Sequence, residues 1–209
     1  MPLDLDLIQR WLGGRSLARG LPLPQHEGGG LRVDVGSAAE VRRHVFLDAG
    51  PAPQACAARI DAPRIFLKAA VAPHVLRAAL PAQWDIEAPG YLMQGPASMP
   101  RLTVLPPDYH ITVQAEHGGH LARVLHASGA LAASGRLALH EGCAVFDQIV
   151  TEEAHQRRGL GSVVMLTLDD LAARAGIGER LLVATEAGRA LYENLGWRVL
   201  APWATAVLR

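Results

Sequence analysis

One switch in patterning constrains the fold of this chain more than any other feature. Between residues 109 and 151 short apolar-rich runs are broken at His117-Gly118-Gly119, Ser128-Gly129 and Glu141-Gly142. Such runs between turns predict strands paired as antiparallel hairpins over Tyr109 to Ala115, Leu121 to Ala127, Ala130 to His140 and Cys143 to Thr151. After Thr151 the pattern changes. A loop with two glycines leads into helical spacing from Gly161 to Ala175, then a buried strand, Leu181 to Thr185. A second helix, Ala187 to Leu195, stops at Gly196, and two short strands follow, Trp197 to Leu200 and Trp203 to Leu208. Hairpins followed by strand–helix–strand–helix–strand predict an α/β fold of the α+β type, a mixed and mostly antiparallel sheet flanked by helices.

The first hundred residues carry weaker signals. Leu3, Leu7, Ile8, Trp11 and Leu12 share a helical face within residues 3 to 19, and residues 20 to 30 are turn-forming. Leu31 to Val35 reads as a strand. Ser37 with Glu40 three positions on resembles a capping box and predicts a helix to about Ala49. Pro51 and Pro53 predict a break. Arg64 to Val71 reads as a strand, Pro73 opens a helix that Pro81 ends, and Asp85 to Met93 reads as extended. Gly95, Pro96 and Pro100 place a boundary near residue 97, followed by a weak strand over Leu102 to Leu105. The expected division is an N-terminal α/β segment, residues 1–97, and a ligand-binding domain, residues 98–209.

Composition excludes several classes. Twenty Lys plus Arg balance twenty Asp plus Glu, so the basic excess of a nucleic-acid or anionic-membrane surface is missing. No stretch approaches 18 uncharged apolar residues, and the start, with Asp4 and Asp6, lacks the form of a secretory signal. Cys56 and Cys143 form no CxxC pair, which predicts reduced thiols in a cytoplasmic protein. His117 and His120 flank a turn with no third ligand at metal spacing, so no metal is expected.

The chemistry concentrates in Gln156-Arg157-Arg158-Gly159-Leu160-Gly161-Ser162, between a strand and a helix. The first amides of a helix have no internal partners and lie at the positive end of its dipole. Glycines let a ligand approach the backbone, so the loop is a candidate anion cradle. Two arginines at a helix N-terminus are unfavourable unless an anion offsets them; Glu152 and Glu153 are alternative partners.

Gln156, Gly159 and Gly161 fill the defining positions of R/Q-x-x-G-x-G/A, and the loop resembles motif A of the GNAT acetyltransferases. Thr185 through Trp197 resembles their N-x-x-A-x-x-L-Y-x-x-x-G-F segment: Leu191, Tyr192 and Gly196 match, Trp197 replaces Phe, Thr185 stands where Asn is usual and Gly188 where Ala is usual. The resemblance covers about residues 100 to 209. It implies acetyl-CoA as co-substrate, its pantetheine arm along Ile149, Val150 and Thr151 and its pyrophosphate on the amides of Arg157 to Ser162, with Thr185 also against it. It implies Tyr192 as general acid toward the leaving thiolate. Asp147 is the first choice for general base, ahead of Gln148, Glu152 and His155. The implied acceptor is an amine of a small molecule or peptide, by direct attack. A homodimer is one arrangement the resemblance allows, and a non-catalytic acyl-CoA-binding module is the alternative. The N-terminal segment would cover the acceptor groove or complete the sheet as a reduced companion fold.

Overall fold

A computed structural model of the chain describes residues 3–100 and 103–209. Among these residues the strands form one twisted sheet in the order β1-β2-β3-β4-β12-β6-β11-β10-β9-β8-β7, with β5 paired to β12 beside that path. The C-terminal half follows the expected runs and turns closely. Strands β7 (Tyr109–Glu116), β8 (Gly119–His126), β9 (Leu131–His140) and β10 (Cys143–Thr151) form an antiparallel meander. Helix α4 (Leu160–Arg174) crosses to β11 (Glu179–Thr185), which lies parallel to β10, and α5 (Glu186–Asn194) leads to β12 (Arg198–Leu208).

The N-terminal half repeats that order on a smaller scale. Hairpin β1 (Gln25–Glu27) and β2 (Gly30–Asp34) runs antiparallel to β3 (Arg42–Phe46), which crosses through α2 (Pro51–Ala57) to parallel β4 (Ile65–Ala69). Helix α3 (Pro73–Ala79), β5 (Trp84–Ile86) and β6 (Gly90–Gln94) follow. The last strands cross over: β6 pairs with β11 of the second half, and β12 returns to pair with β4 of the first. Strands β5 and β6 both pair with β12, interrupted at Ala88-Pro89.

Four local expectations give way to tertiary context. Residues 37–49 are not a helix. Ser37 and Glu40 do bond, Glu40 N–H to Ser37 Oγ at 3.0 Å, but as a turn, and the Glu40 carboxylate chelates Arg43 at 2.7 Å through both oxygens. The following residues run as β3 because β4 offers a parallel partner. Pro51 and Pro53 open α2 instead of breaking the chain, since proline is tolerated in the first helical turn. The two expected final strands are one, β12, with a bulge between Val199 and Ala201. Thr103 to Leu105 is not a strand, and residue 102 lies outside the described residues.

Helix α1 (Leu5–Ala18) starts at Asp4, whose carboxylate accepts from Leu7 N–H at 2.9 Å. It packs on β9 and β10 and buries Leu7, Ile8, Trp11 and Leu12. Gly14 permits the close approach, because a Cβ there would sit 2.5 Å from Val145 Cγ2. The opposite face of the C-terminal sheet is covered by α4 and α5 over Phe146, Val164, Leu168 and Trp197.

Candidate active site

The site begins where two strands part. β10 pairs with β11 only over Cys143↔Glu179 to Val145↔Leu181. Beyond that point β11 continues beside β6. β10 stays paired with β9 through a bulge between Asp147 and Val150, where Gln148 takes φ 52°. The edge of β10 from Phe146 to Thr151, Ile149 and Val150 included, therefore turns toward β11 without a ladder partner. Such an edge is a template for an extended amide-bearing ligand.

A cavity of about 410 Å³ fills this wedge, within the range of ligand sites. Phe146 to Val150 of β10 and Leu182 to Thr185 of β11 line it, with Tyr192 of α5. The break at Ala88-Pro89 adds part of the wall.

A second hollow of about 370 Å³ adjoins the loop, lined by Thr151, Gln156, Arg157, Gly159 to Ser162 and one face of α5. Gly159 is the N-cap of α4 at φ 74° and provides no side-chain cap. The first bond of α4 is Val163 N–H to Gly159 O, 3.1 Å, which leaves the amides of Leu160, Gly161 and Ser162 without helical acceptors. No acidic residue occupies the first turn. A Cβ on Gly161 would stand 3.0 Å from Leu191 Cδ2 and 3.4 Å from Thr151 Oγ1, reaching into the hollow's lining. Bare amides, a dipole end and an open hollow fit an anionic group such as a pyrophosphate.

The two arginines part. Arg157, at φ 60°, lines the hollow. Arg158 points away, donating from Nη1 to Tyr109 Oη at 2.9 Å, while Tyr109 Oη also lies 2.9 Å from His155 Nδ1. Among the described residues neither pairs with Glu152 or Glu153. Gln156 donates to Thr151 O at 3.4 Å and ties loop to strand.

Tyr192 is 7 % exposed and lines the cavity. Burial, reinforced by the negative charge of Asp147, pushes its phenol up to about 12. Thr185, in the usual Asn position, is the N-cap of α5 and accepts from Gly188 N–H at 3.1 Å; its hydroxyl proton stays available to the cavity. Asp147 does not stand alone: Arg19 engages both of its oxygens, and Arg15 Nε lies 3.6 Å from Oδ1.

Sequence reading missed the other wall. Trp11 and Arg15 project from one stripe of α1 and Arg19 from its C-cap, and Lys68 of β4 and Thr205 of β12 join them in the cavity. The four-residue spacing from Trp11 to Arg19 and the uniqueness of Lys68, the chain's only lysine, were the signals in the sequence. Trp11 packs edge-on against Trp203 at 4.9 Å. Burial first, and Arg15 next, push Lys68 down from 10.5 to about 8. Between these values the unfolded chain binds more protons at this site, so stability should rise with pH from about 8 to 10.5. Lys68→Met is expected to abolish that rise and to add about 1–2 kcal/mol at pH 7, measured by urea unfolding of both proteins across pH 7–10.5.

Cys143 is buried and its thiol is pushed up to about 12 by burial, which suits packing and not nucleophilic attack. Among the described residues no three His, Cys, Asp or Glu side chains are grouped to hold a metal, and no helix is long and apolar enough to cross a membrane.

Comparison with known proteins agrees with this geometry. The sequence matches the profile of the Acetyltransferase (GNAT) family over residues 78–197, more than half of the chain. Among curated proteins none matches. A GCN5-related N-acetyltransferase from Kribbella flavida has a similar structure, with a TM-score of 0.69, 14% identity, and coverage of 99% of this chain and 96% of that one. A GNAT-family protein from Novosphingobium aromaticivorans aligns with a TM-score of 0.60 at 19% identity, over 88% and 90% of the two chains. A tandem GNAT protein from the clavulanic acid biosynthesis pathway aligns with a TM-score of 0.54 at 14% identity, over 68% and 63%. At these identities the structures speak for the fold; the profile match carries the membership. With a matching profile, a matching fold, a splayed strand pair and an open helix N-terminus in one place, the chain belongs to the GNAT family of acetyltransferases.

Proposed function

We propose that this acetyltransferase moves an acetyl group from acetyl-CoA to a primary amine of a small molecule or peptide, by direct attack in the wedge between β10 and β11. One observation carries the reading: the unpaired edge of β10 runs from the cavity that holds Tyr192 to the hollow beside the bare amides of α4. Val150 lines the cavity and Thr151 the loop hollow, so one strand serves both.

Leu160, Gly161 and Ser162 amides and Arg157 hold the pyrophosphate, and the backbone of Ile149, Val150 and Thr151 aligns the pantetheine arm. Gln156 and Arg158 hold the loop's shape from beneath, and Thr185 offers its hydroxyl to the arm. Acetyl-CoA supplies a thioester carbon open to the amine and a thiol that leaves. Tyr192 gives its Oη proton to that sulfur. Both oxygens of Asp147 already accept from guanidinium donors, so an ammonium would have to displace one of them to hand over its proton. We assign Asp147 the positioning of Arg15 and Arg19, with the amine proton passing to cavity water. Residues 1–97, through α1 and β4, supply the acceptor wall.

Calorimetric titration with acetyl-CoA tests the reading. The protein should bind at micromolar levels, and Gly161→Asp should weaken binding at least tenfold, about 1.4 kcal/mol, by placing a carboxylate among the bare amides. If neither protein binds acetyl-CoA or longer acyl-CoA while both stay folded, the transferase reading fails.

A further inference from the structure

The charges of the cavity do not balance. Its lining holds three cations, Arg15, Arg19 and Lys68, against one carboxylate, Asp147. Asp147 is engaged by Arg19 through both oxygens. Glu40 and Glu87 act on Lys68 through space, but each is bonded to another arginine, Glu40 to Arg43 at 2.7 Å and Glu87 to Arg209 at 2.8 Å. Arg15, with its side chain only 15 % exposed, keeps one contact to Asp147 at 3.6 Å, and its Nη1 is buried with no hydrogen-bond partner. Lys68 Nζ has Thr205 Oγ1 at 3.4 Å and the Phe66 ring at 5.1 Å, neither of them an anion.

An excess of two cations inside one cavity, with Arg15 Nη1 unpartnered and Lys68 in contact with no anion, is unfavourable for the fold, since a buried donor or charge without a partner keeps its desolvation cost. Residues that destabilise a fold in this way cluster where a ligand completes the site. The anion here is not the one at the loop, because the loop hollow is lined by different residues and draws on none of these three cations. It must arrive with the molecule that shares the cavity with Tyr192.

We propose that the acceptor is an amine that also carries a carboxylate, docked on Arg15 Nη1 and Lys68 Nζ. The inference rests on the acetyl-transfer reading of the cavity and adds the class of acceptor. The carboxylate fills the vacant Arg15 donor and lies beside the Lys68 ammonium, while Trp11 and Trp203 flank its carbon chain. Arg19, held by Asp147, forms the fixed edge of the wall. Binding of this anion raises the affinity of Lys68 for its proton, because a negative charge beside an ammonium favours the charged form.

The single lysine makes this measurable without turnover. Protein grown with ¹³C-lysine gives one lysine ε-methylene signal, which reports Lys68 alone. Glycine, β-alanine and 4-aminobutyrate, each set against its own amide, are titrated into the protein saturated with coenzyme A. At least one amino acid should shift the signal and move the Lys68 titration to higher pH, and its amide should do neither. In parallel, release of coenzyme A thiol from acetyl-CoA should show the same amino acid favoured over its amide by at least tenfold in kcat/KM. Arg15→Gln and Lys68→Met should each shrink that preference to less than threefold, with the loss carried by KM and acetyl-CoA affinity held within twofold. Amides acetylated as well as amino acids, or a lysine signal indifferent to all three acids, overturns the proposal and leaves the acetyl-transfer reading intact. Loss of acetyl-CoA affinity in Lys68→Met overturns it too, by giving the cations to the cofactor. Failure of acetyl-CoA to bind, with the lysine signal still responding to an acid, sinks the transfer reading and keeps the anion site.

Discussion

Asp169→Ala is expected to lower stability by about 3–5 kcal/mol, the cost of leaving one member of a buried ion pair alone. Asp169 lies on α4 and Arg180 on β11, with side chains 9 % and 1 % exposed. Arg180 Nε donates to Asp169 Oδ1, and its Nη1 donates to Ile177 O at 3.2 Å and Gly178 O at 3.0 Å. The guanidinium thus ties α4 to the strand it enters and satisfies carbonyls of the connecting turn. Removing the carboxylate leaves a buried cation held by carbonyls alone. For a chain of this size the loss corresponds to a fall in Tm of about 10 °C. Urea unfolding of the single variants and of Asp169→Leu with Arg180→Met gives the check. The double variant should recover most of the loss, since apolar groups of similar volume can replace a buried pair. A single-variant loss below about 1 kcal/mol would show that water reaches the pair.

That pair also marks what the sequence could and could not disclose. The helix that carries Asp169 was legible, and so was the strand from Leu181 on, though not its start at Glu179 and Arg180, because each is a local pattern: helical spacing after a glycine loop, and a buried apolar run. The loop itself was legible for the same reason, since strand, glycines and helix start are contiguous. Strand order was not. Nothing local in Gly90 to Gln94 says that it lies between β11 and β12, and nothing in Arg198 to Leu208 says that one strand serves both halves. Ser37 and Glu40 formed their local bond and still did not start a helix, because the parallel partner at β4 decided the outcome. The same limit applies at the site. Tyr192 and the loop came from contiguous motifs, whereas the ion pair of Asp147 with Arg19 spans 128 positions and the approach of Lys68 to Thr205 spans 137. The charge balance of the cavity exists only once those distant residues meet.

Tyr192→Phe should reduce kcat for acetyl transfer about 10²-fold, about 2.7 kcal/mol, while acetyl-CoA binds as before. The substitution keeps the ring that packs 6.1 Å from Trp197 and removes only the hydroxyl. Two effects raise the phenol, burial and then the field of Asp147, and both keep it protonated. With its value pushed up to about 12, Tyr192 carries its proton from pH 6 to 10. Its loss should therefore lower kcat by a similar factor from pH 6 to 10, with no new alkaline limb in the wild type over that range. A phenol this weak does not release its proton ahead of carbon–sulfur cleavage. In the proposed role it would donate as charge appears on the sulfur, whose own basicity burial in the wedge raises in the same direction. Donors with a more acidic thiol leave with less help, so the ratio of wild-type to variant rates should fall for them. Stopped-flow measurement of thiol release at saturating donor, with calorimetry for affinity, reads both quantities. A variant within threefold of wild type at all pH values would place the proton with water and return Tyr192 to the packing of α5 against Trp197.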